Sequence, residues 1–543
     1  MRHFSRTAVI VGAVAPVFAT LQAAAQQLPP QIDAGTILRQ NQRNERTLDD
    51  ATRRLEGGVA LPARPKNTVI APGGATFTLK SIVFTPSEFL SKAELDALAA
   101  PLLGRPIDLS EVQALVNTIN DRYTELGHIT ASATIPPQTL EGGAFTIRLV
   151  EGRVGQVKVE DADRSLDYVR RRIVVEEGRV IDVPLLTDRI QTFNRTGETQ
   201  LRLGLQPGAQ FGLSDLTLSV IEPARNTLQL FGDNYGVQTV GRHQGGGLFQ
   251  HFGLLGLDDR LRVYGVQAAG NGTENVSYSF AATPTGGRIG LSYTRSDIQV
   301  ISGPFESLDI RGQSQNGAMT LTQPLYGDKN WLLLANIGGA LSGSITKQDT
   351  VKITRNTTER ANFGMTLSYF GETFSVSVTP TFSRAHSNLR VAERDVDFNL
   401  FSGFGSAFVQ LPENFSLQAT GAWQFSNAKL LAGDQLFQIG GPGSLRGYAT
   451  SGFAAFGGYY TTTELHRSLS DLVPGLDLYG FIDHGSVYTP NPRQTILTST
   501  GVGLSYTFDR RLSAEVAAGF PLTRVGARPQ DYFVYGRVIL YVY

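Results

Sequence analysis

Cysteine is absent from all 543 residues. That excludes a disulfide framework, a thiolate nucleophile and a zinc–cysteine site. An excess of charge is absent too. Lys and Arg total 48 and so do Asp and Glu, so no global field draws nucleic acid. No apolar run approaches the ~20 residues of a spanning helix, which leaves a soluble chain or a barrel. The sequences G-x-S-x-G, H-E-x-x-H and G-x-x-x-x-G-K-[ST] do not occur, and the seven histidines are scattered. Gly441-Pro442-Gly443-Ser444-Leu445-Arg446 mimics a phosphate loop only faintly, without the strand-then-helix context that aims amides at phosphate. The reading is no enzyme, no metal and no cofactor. Without a nucleotide site, any transport would draw on binding on one side and folding of the cargo on the other.

The clearest pattern that is present begins near Arg225 and runs to Tyr543. Apolar and polar residues alternate in short runs. Phe374, Val376, Val378, Pro380 and Phe382 interleave with Ser375, Ser377, Thr379, Thr381 and Ser383, and Phe415–Phe425 repeats the scheme. Period two means strands with one dry and one wet face. A soluble sandwich would alternate as well, but it would hide its dry faces in a shared core. About sixteen such strands suit a closed transmembrane β-barrel over 225–543, with lipid outside and water inside. The other end of the chain agrees. Arg2 and Arg6 precede an apolar stretch, Ala8 to Ala19, and Ala23-Ala24-Ala25 offers a cleavage site. Residues 1–25 read as a signal peptide, whose removal leaves a net charge of about −2.

Between these lie three segments. Residues 26–57 hold a helix, Asp33 to Glu56, with Asp33 as N-cap and Gly57-Gly58 as its stop. Its apolar positions are few: Ile37, Leu38, Leu48 and Leu55. A helix polar nearly all round does not bury itself in an apolar core. It is either a solvated arm or a plug in a wet lumen. Residues 58–75, rich in Pro and Gly, read as a linker without regular structure. Then comes a repeat. Gly104-Arg105-Pro106-Ile107-Asp108 returns as Gly178-Arg179-Val180-Ile181-Asp182, and Val112, Val116, Ile119 and Asn120 return as Leu186, Ile190, Phe193 and Asn194. Two α+β units follow, 76–152 and 153–224, each read as strand, helix, helix, strand, strand. A three-stranded sheet with helices on one face leaves an open edge, which can accept an extended partner strand. A rigid spacer is the plainer reading.

This layout resembles the Omp85 superfamily, and within it the outer-membrane transporter of two-partner secretion, the TpsB family (FhaC- and ShlB-like). The small units look like POTRA domains. The loop near 428–455, between the eleventh and twelfth strands, carries Leu445-Arg446-Gly447-Tyr448, which is similar to the family's aliphatic-Arg-Gly-aromatic tetrad, with Leu where Val is commoner. Phe481-Ile482-Asp483-His484-Gly485 matches its Phe-x-Asp-x-Gly motif, and Asp233-Asn234-Tyr235-Gly236 has the family's look. The resemblance implies a loop folded back into the lumen. It also implies a periplasmic pair of POTRA-like domains beneath an outer-membrane pore of a Gram-negative cell. The pore would recognise a cognate secreted exoprotein, of adhesin, haemolysin or toxin class, and pass it unfolded to the surface. The alternative is an Omp85-type assembly factor that inserts other barrels; a diffusion porin would leave the repeats without a purpose. Phe481, Asp483 and Gly485 share one face, so a charge-assisted bond from Arg446 to Asp483 is the expected anchor of the loop.

Overall fold

The computed structural model describes residues 28–50, 58–60, 67–140, 142–163, 165–489, 493–525 and 530–542. The signal peptide expected at 1–25 lies outside these residues, as does Leu55. The chain forms two compact units. One contains residues up to 54 with the barrel, and the other contains 55–223 with 327–329.

Sixteen antiparallel strands close into a barrel, the first (Asn226–Asp233) pairing with the last (Phe533–Tyr541). The alternation sorts side chains as the pleat requires. Phe374, Val376, Phe382 and Phe401 are exposed on the outer wall, and Phe382 lies directly across from Phe401 on the next strand. The intervening hydroxyls face inward and bond to one another across strands. Thr366 meets Thr379 at 3.0 Å, Ser368 meets Ser377 at 2.9 Å, and Thr420 meets Thr462 at 2.7 Å. These cross-strand pairs satisfy polar groups that the lumen wall would otherwise leave unpaired.

In the other unit the apolar residues are inside. Helices Lys92–Ala99 and Leu109–Glu125 accompany a three-stranded sheet in the order Ser81–Phe84, Ala144–Glu151, Ala131–Thr134. Leu79, Val112, Ile119, Tyr123, Phe145 and Ile147 form its core. Asp108 and Glu111 close the expected capping box, and Asp182 caps the equivalent helix, Val183–Thr196, through the Leu185 amide. The single first strand expected of this unit is two pieces. Phe77–Thr78 pairs with Pro106–Ile107, while Ser81–Phe84 runs parallel to Ala144–Ile147. The break comes where the Leu79 carbonyl turns to the Gly104 amide and the Lys80 amide to the Gly143 carbonyl. The repeated asparagines have a shared task. Asn120 bonds both the amide and the carbonyl of Ala133, and Asn194 does the same at Leu201.

The edges differ from expectation. Gly58–Ala60, read as irregular linker, is a strand that pairs in parallel with Arg202–Gly204. The sheet of the second small unit is therefore four-stranded, in the order 58–60, 200–207, 213–221, 153–160. Linker composition cannot order itself, but an unpaired strand edge supplies the missing main-chain partners.

Candidate functional site in the barrel lumen

The N-terminal helix, Ala34–Asp50, clusters with the barrel and is packed within it. The Asp33 carboxylate accepts from the Thr36 amide at 2.9 Å, which is the N-cap geometry expected of it. Two apolar contacts fix the helix. Ile37 packs with Val240, Ile298 and Ile310, and Leu48 packs with Phe231, Tyr264 and Ile539. The rest of the fit is polar. Asn41 donates to Thr273 at 2.6 Å, Arg39 to the Asp434 carbonyl at 2.9 Å, and Ser314 to the Ala34 carbonyl at 3.1 Å. A helix that is polar on most sides is thus buried after all, because the surrounding wall is polar too. Of the two sequence readings, arm and plug, the described part of the helix has the second geometry.

The segment between the eleventh barrel strand (Phe415–Ser426) and the twelfth (Gly457–Ser468) folds inward against this helix. It contains a small hairpin in which Phe437–Ile439 pairs with Phe453–Ala455. Gln438 donates to the Thr36 carbonyl at 3.1 Å, and Ser451 to Gln40 at 3.2 Å. Loop and helix are therefore joined directly.

Each residue of the tetrad meets the wall. Leu445 is fully buried with Tyr448, Tyr460, Val487 and Leu497. Arg446 reaches Asp483 on the thirteenth strand, Leu476–Tyr488. Its Nη2 lies 2.8 Å from Oδ1, and its Nε and its own backbone amide lie 3.0 Å and 2.8 Å from Oδ2. This fork geometry is the strong form of a charge-assisted bond. The guanidinium also stacks over the Phe481 ring at 3.5 Å. Phe481 and Asp483 are both buried while Ile482 between them is exposed, so the motif does share the inner face. Gly447 has φ of +94°, and a Cβ there would press on the Pro521 amide and Ser499. Tyr448 donates to the carbonyls of Thr498 and Thr523 at 2.7 Å and 3.0 Å, and its own carbonyl accepts from Tyr535 at 2.7 Å. Gly485 leaves room for Leu445, whose Cδ1 would sit 3.0 Å from a Cβ at that position.

Two features were not read from the sequence. Glu464 on the twelfth strand is a second carboxylate on Arg446, bonded to Nη1, and it also accepts from His466. Alternation places Glu464 and His466 on one face but does not say what meets them. Asp233 pairs with Arg537 across the closing seam at 2.9 Å, with the guanidinium over Tyr235. There only the Asp233–Gly236 motif gave a hint.

The chain as a whole is similar to known proteins. The profile of a family described as haemolysin secretion/activation protein ShlB/FhaC/HecB matches residues 212–506, and that of the ShlB-type POTRA domain matches 77–152. The chain is 25% identical over 527 residues to the outer membrane transporter CdiB of Escherichia coli, spanning 92% of this chain and 88% of that one. It is 24% identical over 460 residues to the heme/hemopexin transporter protein HuxB of Haemophilus influenzae, spanning 79% and 80%. The solved structure of CdiB from Escherichia coli superposes with a TM-score of 0.73 at 22% identity, over 95% of this chain and 100% of that one.

Proposed function

The chain belongs to the haemolysin secretion/activation protein family ShlB/FhaC/HecB, and on that premise we propose that it exports one cognate exoprotein through its own barrel, with Arg446 holding the inward loop in place. It is an outer-membrane transporter of two-partner secretion, with its POTRA domains in the periplasm. The relatives it matches are named as an outer membrane transporter, a heme/hemopexin transporter and, in Proteus mirabilis, a hemolysin transporter. The cargo here is of that broad kind: a large exoprotein that arrives extended. The observation that supports the reading best is the buried fork between Arg446 and Asp483 beside a lumen occupied by a helix. A passive pore needs neither. An extended cargo segment would be received by main-chain pairing at a sheet edge of the small units. The edge of 200–207 is already paired with 58–60, and Asn120 covers Ala133 on the strand Ala131–Thr134. Ser81–Phe84 and the outer side of Gln156–Glu160 are the edges assigned to cargo here.

The test is secretion of the exoprotein encoded beside this chain, in cells carrying the wild type or Arg446→Ala. Secretion should fall at least tenfold in the variant, with barrel abundance and heat-modifiability unchanged. Normal export by Arg446→Ala would remove the loop from the mechanism.

A further inference from the structure

Arg39, Arg43 and Arg46 recur at intervals of four and three, so they line one face of the lumenal helix. Arg360, on the barrel strand Val351–Phe370, lies within electrostatic range of Arg39. Arg46, exposed on the helix, lies about one turn beyond Arg43 on the same face. Four cations, three of them held by hydrogen bonds, thus share one region of the lumen.

Their partners are mostly neutral oxygens. Arg39 donates to the Asp434 carbonyl at 2.9 Å and to Gln424 at 3.1 Å, Arg43 to the Gln438 carbonyl at 3.0 Å, and Arg360 to Gln435 at 3.1 Å. Among the described residues, the Nη1 of Arg43 and the Nε of Arg360 are buried without an acceptor. Asp434 is the carboxylate whose charge acts on Arg39 and Arg360, and it is shared with Ser342 and Gln435. Two other described acids of the helix region are engaged elsewhere. Asp33 caps the helix and Glu45 pairs with Arg262 at 3.5 Å. Buried guanidinium donors without acceptors are costly in isolation. A small anion with several oxygens would satisfy them in the geometry that guanidinium favours.

We propose that Arg39, Arg43, Arg46 and Arg360 form a lumenal site for a small polyvalent oxyanion of the phosphate or sulfate class. The closed wall separates the site from lipid, so the ligand is a free anion and not a lipid headgroup. The site exists while helix and loop are in the lumen, and the anion adds to the forces that keep them there.

The purified full-length chain in detergent micelles provides the test, with inorganic phosphate as the probe. Phosphate is titrated to about 20 mM at constant ionic strength set with potassium chloride, and thermal unfolding is followed; a ligand of the native state stabilises by mass action. The wild type should show a saturable rise of roughly 3 °C. Arg39→Gln and Arg360→Gln should each lose most of it. Arg46→Gln, at an exposed position, supplies the same comparison should either variant fail to fold. A rise that does not saturate, or that is equal in all forms, is general salting and overturns the proposal, as does no rise at all. Neither result bears on export, because no exoprotein is present.

Discussion

The barrel and the first small unit use the same strand alternation with opposite signs. In the small unit Phe145, Ile147 and Leu149 point into the core, along one strand with polar residues between them. In the barrel Ser368 and Ser383 are the buried members and Phe363 and Phe382 the exposed ones. Hydrophobic burial drives the first arrangement. In the second, lipid takes the apolar face, and buried hydroxyls such as Ser368 bond to a hydroxyl on the next strand. Burial and hydrophobicity therefore part company within one chain. The arrangement lets a polar helix and a charged loop pack inside the barrel.

The largest test of this contrast is at the polar interior. Breaking a buried pair by removing one member costs about 3–5 kcal/mol. Asp483→Ala should therefore lower secretion at least tenfold, as expected of Arg446→Ala, and the double variant should be no worse than either single. Simple additivity in that cycle would mean that the two residues act separately. Next comes the apolar interior. Phe145→Ala should destabilise the first small unit by about 3–5 kcal/mol. Amide exchange would then rise throughout 77–152 with barrel protection unchanged; equal loosening of the barrel would show that the two units are not independent. The outer face is third. Ile482 is 60% exposed, next to the fully buried Asp483. Ile482→Arg should cost about 2–4 kcal/mol in lipid vesicles, and an unchanged folding free energy there would contradict a lipid-facing position. The smallest effect concerns Asp108. The Gly73 amide and the Ser110 hydroxyl hold its carboxyl below the ordinary range. Its folded pKa is depressed, so its contribution is complete above the ordinary carboxylate pKa and is lost as pH falls through the lowered value. Fraying of the first turn of Leu109–Glu125 should therefore appear by amide exchange only in that acidic window, and Asp108→Asn should show less pH dependence there.

The sequence revealed some of this better than the rest, for physical reasons. Alternation is enforced by the pleat at every residue, so the barrel was readable in any long strand. The repeat was readable because a helix start, Gly-Arg-x-Ile-Asp, needs the same cap twice. The pairing of Gly58–Ala60 was not readable, because main-chain bonds leave no mark on side-chain choice. The helix Ala34–Asp50 was ambiguous because polarity signals solvent unless the surrounding wall is itself known to be polar. Arg446 and Asp483 were matched through family resemblance, since a contact across 37 residues has no local signature. Glu464 was passed over because one inward carboxylate looks like any other in a wet barrel.

The paired hydroxyls of the wall bear on friction. Thr366 with Thr379, Ser368 with Ser377, and Thr420 with Thr462 already bond to each other. At these positions a polypeptide drawn past meets hydroxyls that are already bonded to each other. Such a wall offers little adhesion at any one register, so a long extended chain can slide without settling. The paired hydroxyls are thus a part of the lumen that offers a moving chain little to hold.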